Sequence, residues 1–94
     1  MKISILGITG KMGHQLAELI TTSADLCLVA GTTSLKNSLR DQQLYGIKVS
    51  TDPTEAIRIA DIVIDFSSFA GVNAHLEQAI DNKKPLLIGT TGLQ

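Results

Sequence analysis

The chain reads as an α/β protein, a Rossmann-type doubly wound parallel sheet with strand order 3-2-1-4-5. Three observations predict this. Short apolar runs alternate with segments whose apolar residues recur at helical spacing, the pattern of strands joined by crossover helices. The first apolar run passes through Gly7-Ile8-Thr9-Gly10-Lys11-Met12-Gly13 directly into a helical segment. The joints richest in Gly, Ser and Thr are 7–13, 66–71 and 89–92, and each follows one of strands one, four and five. In such a sheet those strands deliver their loops to the point where the strand order reverses, which is where ligands bind.

Each element has its own signal. Residues 2–6, Lys-Ile-Ser-Ile-Leu, form strand one. Met12, Leu16, Leu19 and Ile20 recur at helical spacing and predict a helix over 11–22 with one apolar face. Residues 26–31 form strand two, a short apolar run of the kind buried in parallel sheets. The polar stretch 32–46 reads as a loop with one helical turn, and 47–50 as strand three. Thr51-Asp52-Pro53 starts a helix, because a polar cap followed by proline suits a first turn; it ends near Ile59. Residues 61–65 are strand four. Val72, Leu76, Ala79 and Ile80 mark a further helix ending near Asn82, and 85–88 are strand five. A six-stranded fold of this type continues beyond such a strand, so the chain is expected to be a dinucleotide-binding domain over 1–94, part of a longer polypeptide.

Bulk composition excludes several classes. The net charge is −1 and aromatic residues make up 3% with no Trp, so neither polyanion attraction nor a base-stacking platform is expected: no nucleic acid. No apolar stretch reaches the ~18–20 residues of a membrane span, and no secretory signal follows Lys2. The one cysteine, Cys27, sits in the run Leu26-Cys27-Leu28-Val29-Ala30 and is expected to be a buried, inert thiol. A single cysteine builds no disulfide framework, which suits a reducing cytoplasm. Nothing has metal-ligand spacing.

The glycine-spaced turn carries the chemistry. Glycine lets the backbone turn sharply and lets a phosphate come close, and the helix that follows presents unpaired amides and a partial positive charge. The spacing is Gly7-x-x-Gly10-x-x-Gly13, with Thr9 where a second glycine commonly stands. A tight βα turn without a ligand needs similar glycines, so the context of strand before and helix after decides in favour of phosphate binding.

Three segments together resemble the 4-hydroxy-tetrahydrodipicolinate reductase (dihydrodipicolinate reductase) family. They are the turn just described, Ile62-Val63-Ile64-Asp65-Phe66-Ser67, and Ile88-Gly89-Thr90-Thr91-Gly92. The resemblance implies a nucleotide-binding domain of an NADPH- or NADH-dependent reductase in the diaminopimelate route to lysine. It implies that Gly7, Ile8, Thr9, Gly10, Lys11 and Met12 cradle the pyrophosphate and adenosine side. Gly89, Thr90 and Thr91 would lie beside the nicotinamide, with Thr91 near the substrate, a cyclic dicarboxylate. It also implies that catalytic residues and the contacts of a homotetramer lie in a further domain. The chain alone is then expected to bind cofactor without turnover and to be a monomer by itself.

Two departures stand out. Phe69 occupies a position where the family usually has proline. The segment Gly31-Thr32-Thr33-Ser34-Leu35-Lys36 has no carboxylate to hold a ribose 2′-OH. Hydroxyls there, with Lys36 or Lys11 nearby, suit NADPH; NADH binding at least about tenfold tighter would contradict this.

Other residues carry plainer expectations. Lys11 is either solvated or a phosphate contact. His14 is expected to be exposed, and His75 to be a packing or surface histidine. Asp65 is expected to bond loop amides in the 66–71 turn, and Phe66 to lie in the core or against the cofactor. Rival readings are another dehydrogenase of this fold and a non-catalytic dinucleotide-sensing module.

Overall fold

Strand β1 (Lys2–Leu6) alternates its side chains between two cores, which makes it the centre of the sheet. Ile3 and Ile5 pack with Ile8, Ala17, Ile20, Leu28 and Val49 on one face. Leu6 packs with Ala56, Ile57, Ala60, Val63 and Ala79 on the other. The buried Ser4 points to that second face, where its hydroxyl donates to Ala56 O at 2.7 Å and satisfies a carbonyl in the last turns of a helix.

The computed structural model describes residues 1–66, 75, 77 and 79–89. After β1 come α1 (Lys11–Thr21), β2 (Cys27–Thr32), β3 (Gln43–Leu44), β4 (Ile47–Ser50), α2 (Pro53–Ile59), β5 (Ile62–Asp65) and β6 (Leu86–Ile88). Residues 75, 77 and 79–81 are helical. The strand order is β3-β4-β2-β1-β5-β6. Setting β3 aside, this is the expected 3-2-1-4-5 order, and β2, β4, β1, β5 and β6 are joined by parallel pairings.

Strand β3 corrects the reading of 32–46 as loop. It pairs antiparallel with β4, Leu44 opposite Ile47. Tyr45 (φ 53°) and Gly46 (φ 82°) form the two-residue turn, both in the left-handed conformation that such tight hairpins require. With two residues and a polar partner, β3 leaves no alternating apolar pattern to read.

Helix α1 also differs from expectation. Its buried stripe is Gly13, Ala17 and Ile20, while Met12 and Leu19 are 49% and 67% exposed. Small residues face the sheet because the helix start lies almost against the preceding turn. Cys27 is exposed, not buried. It opens β2, where its amide bonds Met1 O at 2.8 Å at the sheet's rim.

Helix α2 follows its local signals. Asp52 caps it by accepting from Thr54 N at 2.9 Å, and Pro53 begins its first turn. Asp61, after α2, accepts from Lys2 N at 2.8 Å. That hydrogen bond holds the Asp61 carboxyl below its ordinary value.

After the helical residues 79–81, Lys83 N bonds Ile80 O (3.0 Å) and Lys84 N bonds Ala79 O (2.8 Å). Lys83 sits at φ 56°, a conformation that costs an L-residue about 1–2 kcal/mol and glycine little. After glycine's larger unfolded-state entropy, Lys83→Gly is expected to stabilise the chain by about 0.5–1 kcal/mol. A thermal melt checks this; a lower Tm contradicts it.

Candidate functional site: a two-lobed crevice at the first crossover

The turn between β1 and α1 is shaped by one carbonyl. Gly7 N and Ile8 N both donate to Thr32 O, at 3.0 and 2.9 Å. Gly7 takes φ 82° to allow this, a value that its lack of a Cβ makes cheap. These two amides therefore face the sheet, because Thr32 O at the end of β2 needs a partner. The Ile8 side chain is fully buried in the α1 core. Of the residues assigned to the cradle, Gly7 borders the site with its backbone and Ile8 supports it from beneath.

The available donors lie further along. Gly10 N bonds Gly7 O at 3.3 Å, and the first helical bond is His14 N to Gly10 O at 2.9 Å. The amides of Lys11, Met12 and Gly13 have no partner among the described residues. Gly10, the N-cap, supplies no side-chain cap, and the first turn holds no acid. The positive end of α1 is thus left open to an anion.

Two cavities meet there. One of 330 Å³ is lined by Gly7, Thr9, Gly10, Thr32, Thr33, Ser34, Asn37 and Phe66. The other, of 400 Å³, is lined by Gly10, Lys11, Met12, Gly13, Phe66 and Gly89. Gly10 and Phe66 border both, so the lobes form one crevice straddling the start of α1. Among the described residues no Asp or Glu lines either lobe.

Phe66 is held by its amide bond to Leu6 O (2.8 Å), and Gly89 by its bond to Asp65 O (2.8 Å). A Cβ on Gly89 would land on the Phe66 ring, so glycine here lets the ring lie against the backbone. Asp65 is fully buried, and its Oδ2 lies 2.6 Å from His75 Nδ1. The histidine is thus a partly buried partner of this carboxylate. Thr90 and Thr91, and residues 67–71 of the expected Asp65 turn, lie outside the described residues.

Thr9 takes part through its side chain. Its Oγ1 lies 2.7 Å from Thr33 Oγ1 and accepts from Asn37 Nδ2 at 3.2 Å. Asn37 was not singled out from the sequence, since in a polar loop nothing marks which residue folds back across 28 positions. His14, expected to be exposed, is half-buried: its Nδ1 lies 2.8 Å from Tyr45 Oη and the rings meet edge to face. This pair docks the β3–β4 hairpin on α1. Among the described residues no cluster suits a metal ion, and no helix is long and apolar enough to cross a membrane.

A doubly wound sheet with a two-lobed crevice at its first crossover defines the class: a Rossmann-type domain with an anion-receptive helix start. The model of the family described as dihydrodipicolinate reductase, N-terminus, matches residues 1–94. The 4-hydroxy-tetrahydrodipicolinate reductase of Colwellia psychrerythraea is 36% identical over 100 residues, covering 98% of this chain and 37% of the relative. That of Sulfurimonas denitrificans is 37% identical over 93 residues, covering 99% and 36%. The dipicolinate-bound dihydrodipicolinate reductase of Paenisporosarcina sp. TG-14 superposes with a TM-score of 0.82 at 22% identity, over 100% of this chain and 38% of that one, a likeness of fold. The chain belongs to the dihydrodipicolinate reductase family, matching its N-terminal part. It spans little more than a third of the length of the relatives it matches.

Proposed function

We propose that this chain is the pyridine-dinucleotide-binding portion of a 4-hydroxy-tetrahydrodipicolinate reductase, holding NADPH or NADH for hydride transfer to a cyclic dicarboxylate in diaminopimelate and lysine biosynthesis. The observation that carries the reading is the joining of two lobes at Gly10, beside the open amides of Lys11, Met12 and Gly13. A dinucleotide has two nucleoside halves linked by a diphosphate, and the crevice has two lobes linked by an anion-receptive helix start.

The residues present fit that group. The Lys11, Met12 and Gly13 amides are suited to the diphosphate, with Lys11 beside them. Thr9, Thr33, Ser34 and Asn37 border the adenosine side; Phe66, Met12 and Gly89 border the nicotinamide side, where Thr90 and Thr91 follow in sequence. When bound, the reduced nicotinamide supplies the hydride. The chain's own part is to bind and orient, and to press an apolar ring and a Cβ-less backbone against one lobe. The whole protein is a cytoplasmic homotetramer on this reading, with its proton donor and its grip on substrate carboxylates in a second domain.

Titrating the purified chain with each reduced cofactor and following nicotinamide fluorescence tests this. Saturable binding without consumption of cofactor in the presence of substrate is the expected result. No binding of either cofactor at about 1 mM removes the reading; turnover by the chain alone removes the assignment of catalysis to a second domain.

A further inference from the structure

Tyr45 occupies a turn position that an aromatic residue does not favour. It is the first of the two residues joining β3 to β4, and it takes φ 53°. Left-handed backbone at that place suits asparagine or glycine and strains a bulky side chain. Such an outlier persists where the surrounding structure holds it, and such positions cluster where function uses them. The holding contact is the Tyr45 hydroxyl, 2.8 Å from His14 Nδ1, with the two rings edge to face at 5.7 Å between centroids. The tyrosine ring also packs against the buried cluster that contains Ile8, Ala17 and Ile20.

The two partners belong to opposite walls of the crevice. His14 N makes the first helical bond of α1, to Gly10 O, directly after the open amides of residues 11–13. Tyr45 is at the tip of the hairpin that anchors the polar loop 33–42. That loop is tied to β4 at both ends, by Thr33 N to Ser50 O (2.9 Å) and by Asp41 N to Val49 O (2.7 Å). Loop, β4 and hairpin tip therefore form one connected wall, and the start of α1 forms the other. Thr9 joins them at the front through Thr33 and Asn37. Among the described residues, His14–Tyr45 is the one side-chain hydrogen bond between α1 and the hairpin. Neither residue lines a lobe, so this bond joins the walls from behind.

We propose that His14 and Tyr45 are positioning residues: their bond braces the hairpin against the first turn of α1 and fixes the spacing between the helix start and the 33–42 loop. The inference rests on the dinucleotide reading above. A ligand that touches both walls binds only the molecules in which the walls stand at the right spacing, so its apparent affinity scales with that fraction. A brace that touches no ligand atom raises the fraction without favouring one dinucleotide over another. Asparagine would ease the turn, but its side chain is too short to reach His14.

The test compares the purified wild-type chain with Tyr45→Phe, His14→Leu, the combination of these two, and His14→Asn. Affinities for NADPH and NADH are measured well below the melting temperature, where a change in global stability does not alter the folded fraction. Phenylalanine keeps the ring and removes only the hydroxyl. Asparagine keeps a hydrogen-bonding atom near the place of Nδ1. Tyr45→Phe and His14→Leu are each expected to weaken both cofactors by a common factor of about three to ten. The double variant loses no more than either single one, and His14→Asn binds within about twofold of wild type. Unchanged affinity in Tyr45→Phe, losses that multiply in the double variant, no recovery in His14→Asn, or a loss confined to one cofactor overturns the proposal while leaving dinucleotide binding in place. Tyr45→Phe decides alone if His14→Leu does not fold. Binding of neither cofactor by the wild-type chain overturns the underlying reading as well.

Discussion

Gly13→Ala is expected to destabilise the chain by about 3 kcal/mol, the upper part of the range for overpacking a filled site. A Cβ at residue 13 would stand 2.5 Å from Gly7 O, 2.8 Å from Ile8 Cα and 2.9 Å from Ile8 O. All three are backbone atoms, so no side chain can swing aside. Relief requires α1 to lift from the turn, which pulls Ala17 and Ile20 out of the core they share with Ile5 and Ile8. Alanine's better helix propensity returns at most about 1 kcal/mol. For a domain of this size the loss corresponds to a fall of roughly 12–24 °C in Tm. A melt within about 3 °C of wild type would show that α1 does not sit as close to the turn as the structure has it.

Gly10→Ser is expected to leave the fold intact and to weaken dinucleotide binding by about 10–100-fold. Gly10 has φ −77°, and a Cβ there would meet only Gly7 O, at an ordinary 3.6 Å. The fold itself does not demand glycine at this position. Serine is a better N-cap than glycine, so stability should hold or rise by a few tenths of a kcal/mol. Its hydroxyl oxygen would accept from the amide of Met12 or Gly13, the donors proposed to receive the diphosphate, and its bulk would enter both lobes. Loss of one or more charge-assisted hydrogen bonds, at about 1.5–3 kcal/mol each, sets the size of the effect. Tm and affinity measured on one preparation separate the outcomes: unchanged affinity with a raised Tm would mean that these amides do not hold the ligand. The two glycines thus answer to different constraints. Gly13 is required by packing, Gly10 by the space it leaves.

Much of the architecture was legible because it is encoded locally. The apolar runs of β1, β4 and β5 and the Asp52-Pro53 start of α2 fall where neighbouring residues put them. So does Gly7's sharp turn out of β1. The helical spacing of α1 was also right, but its inward face only in part: Ile20 is buried and Leu16 packs on the core, while Met12 and Leu19 are exposed. Leu19 looked apolar enough to be buried, yet the closeness of the turn reserves that face for Gly13 and Ala17. Cys27 failed in the opposite way: an apolar neighbourhood in sequence became a solvent-facing first residue of a strand.

By itself, the sequence determined the alternation of strands and helices, the strand order of the main sheet and the place where a glycine turn meets a helix start. Periodicity, caps and backbone preferences act over a few residues and survive in any context. Only the tertiary structure decided which amides of that turn stay open and that Phe66 borders both lobes. It alone brought Asn37 back against Thr9. Those outcomes depend on Thr32 O reaching Gly7 and Ile8 and on a loop closing over the sheet's edge, contacts between residues far apart in the chain. Pairing across such separations is set by register and packing, which no short window of residues contains.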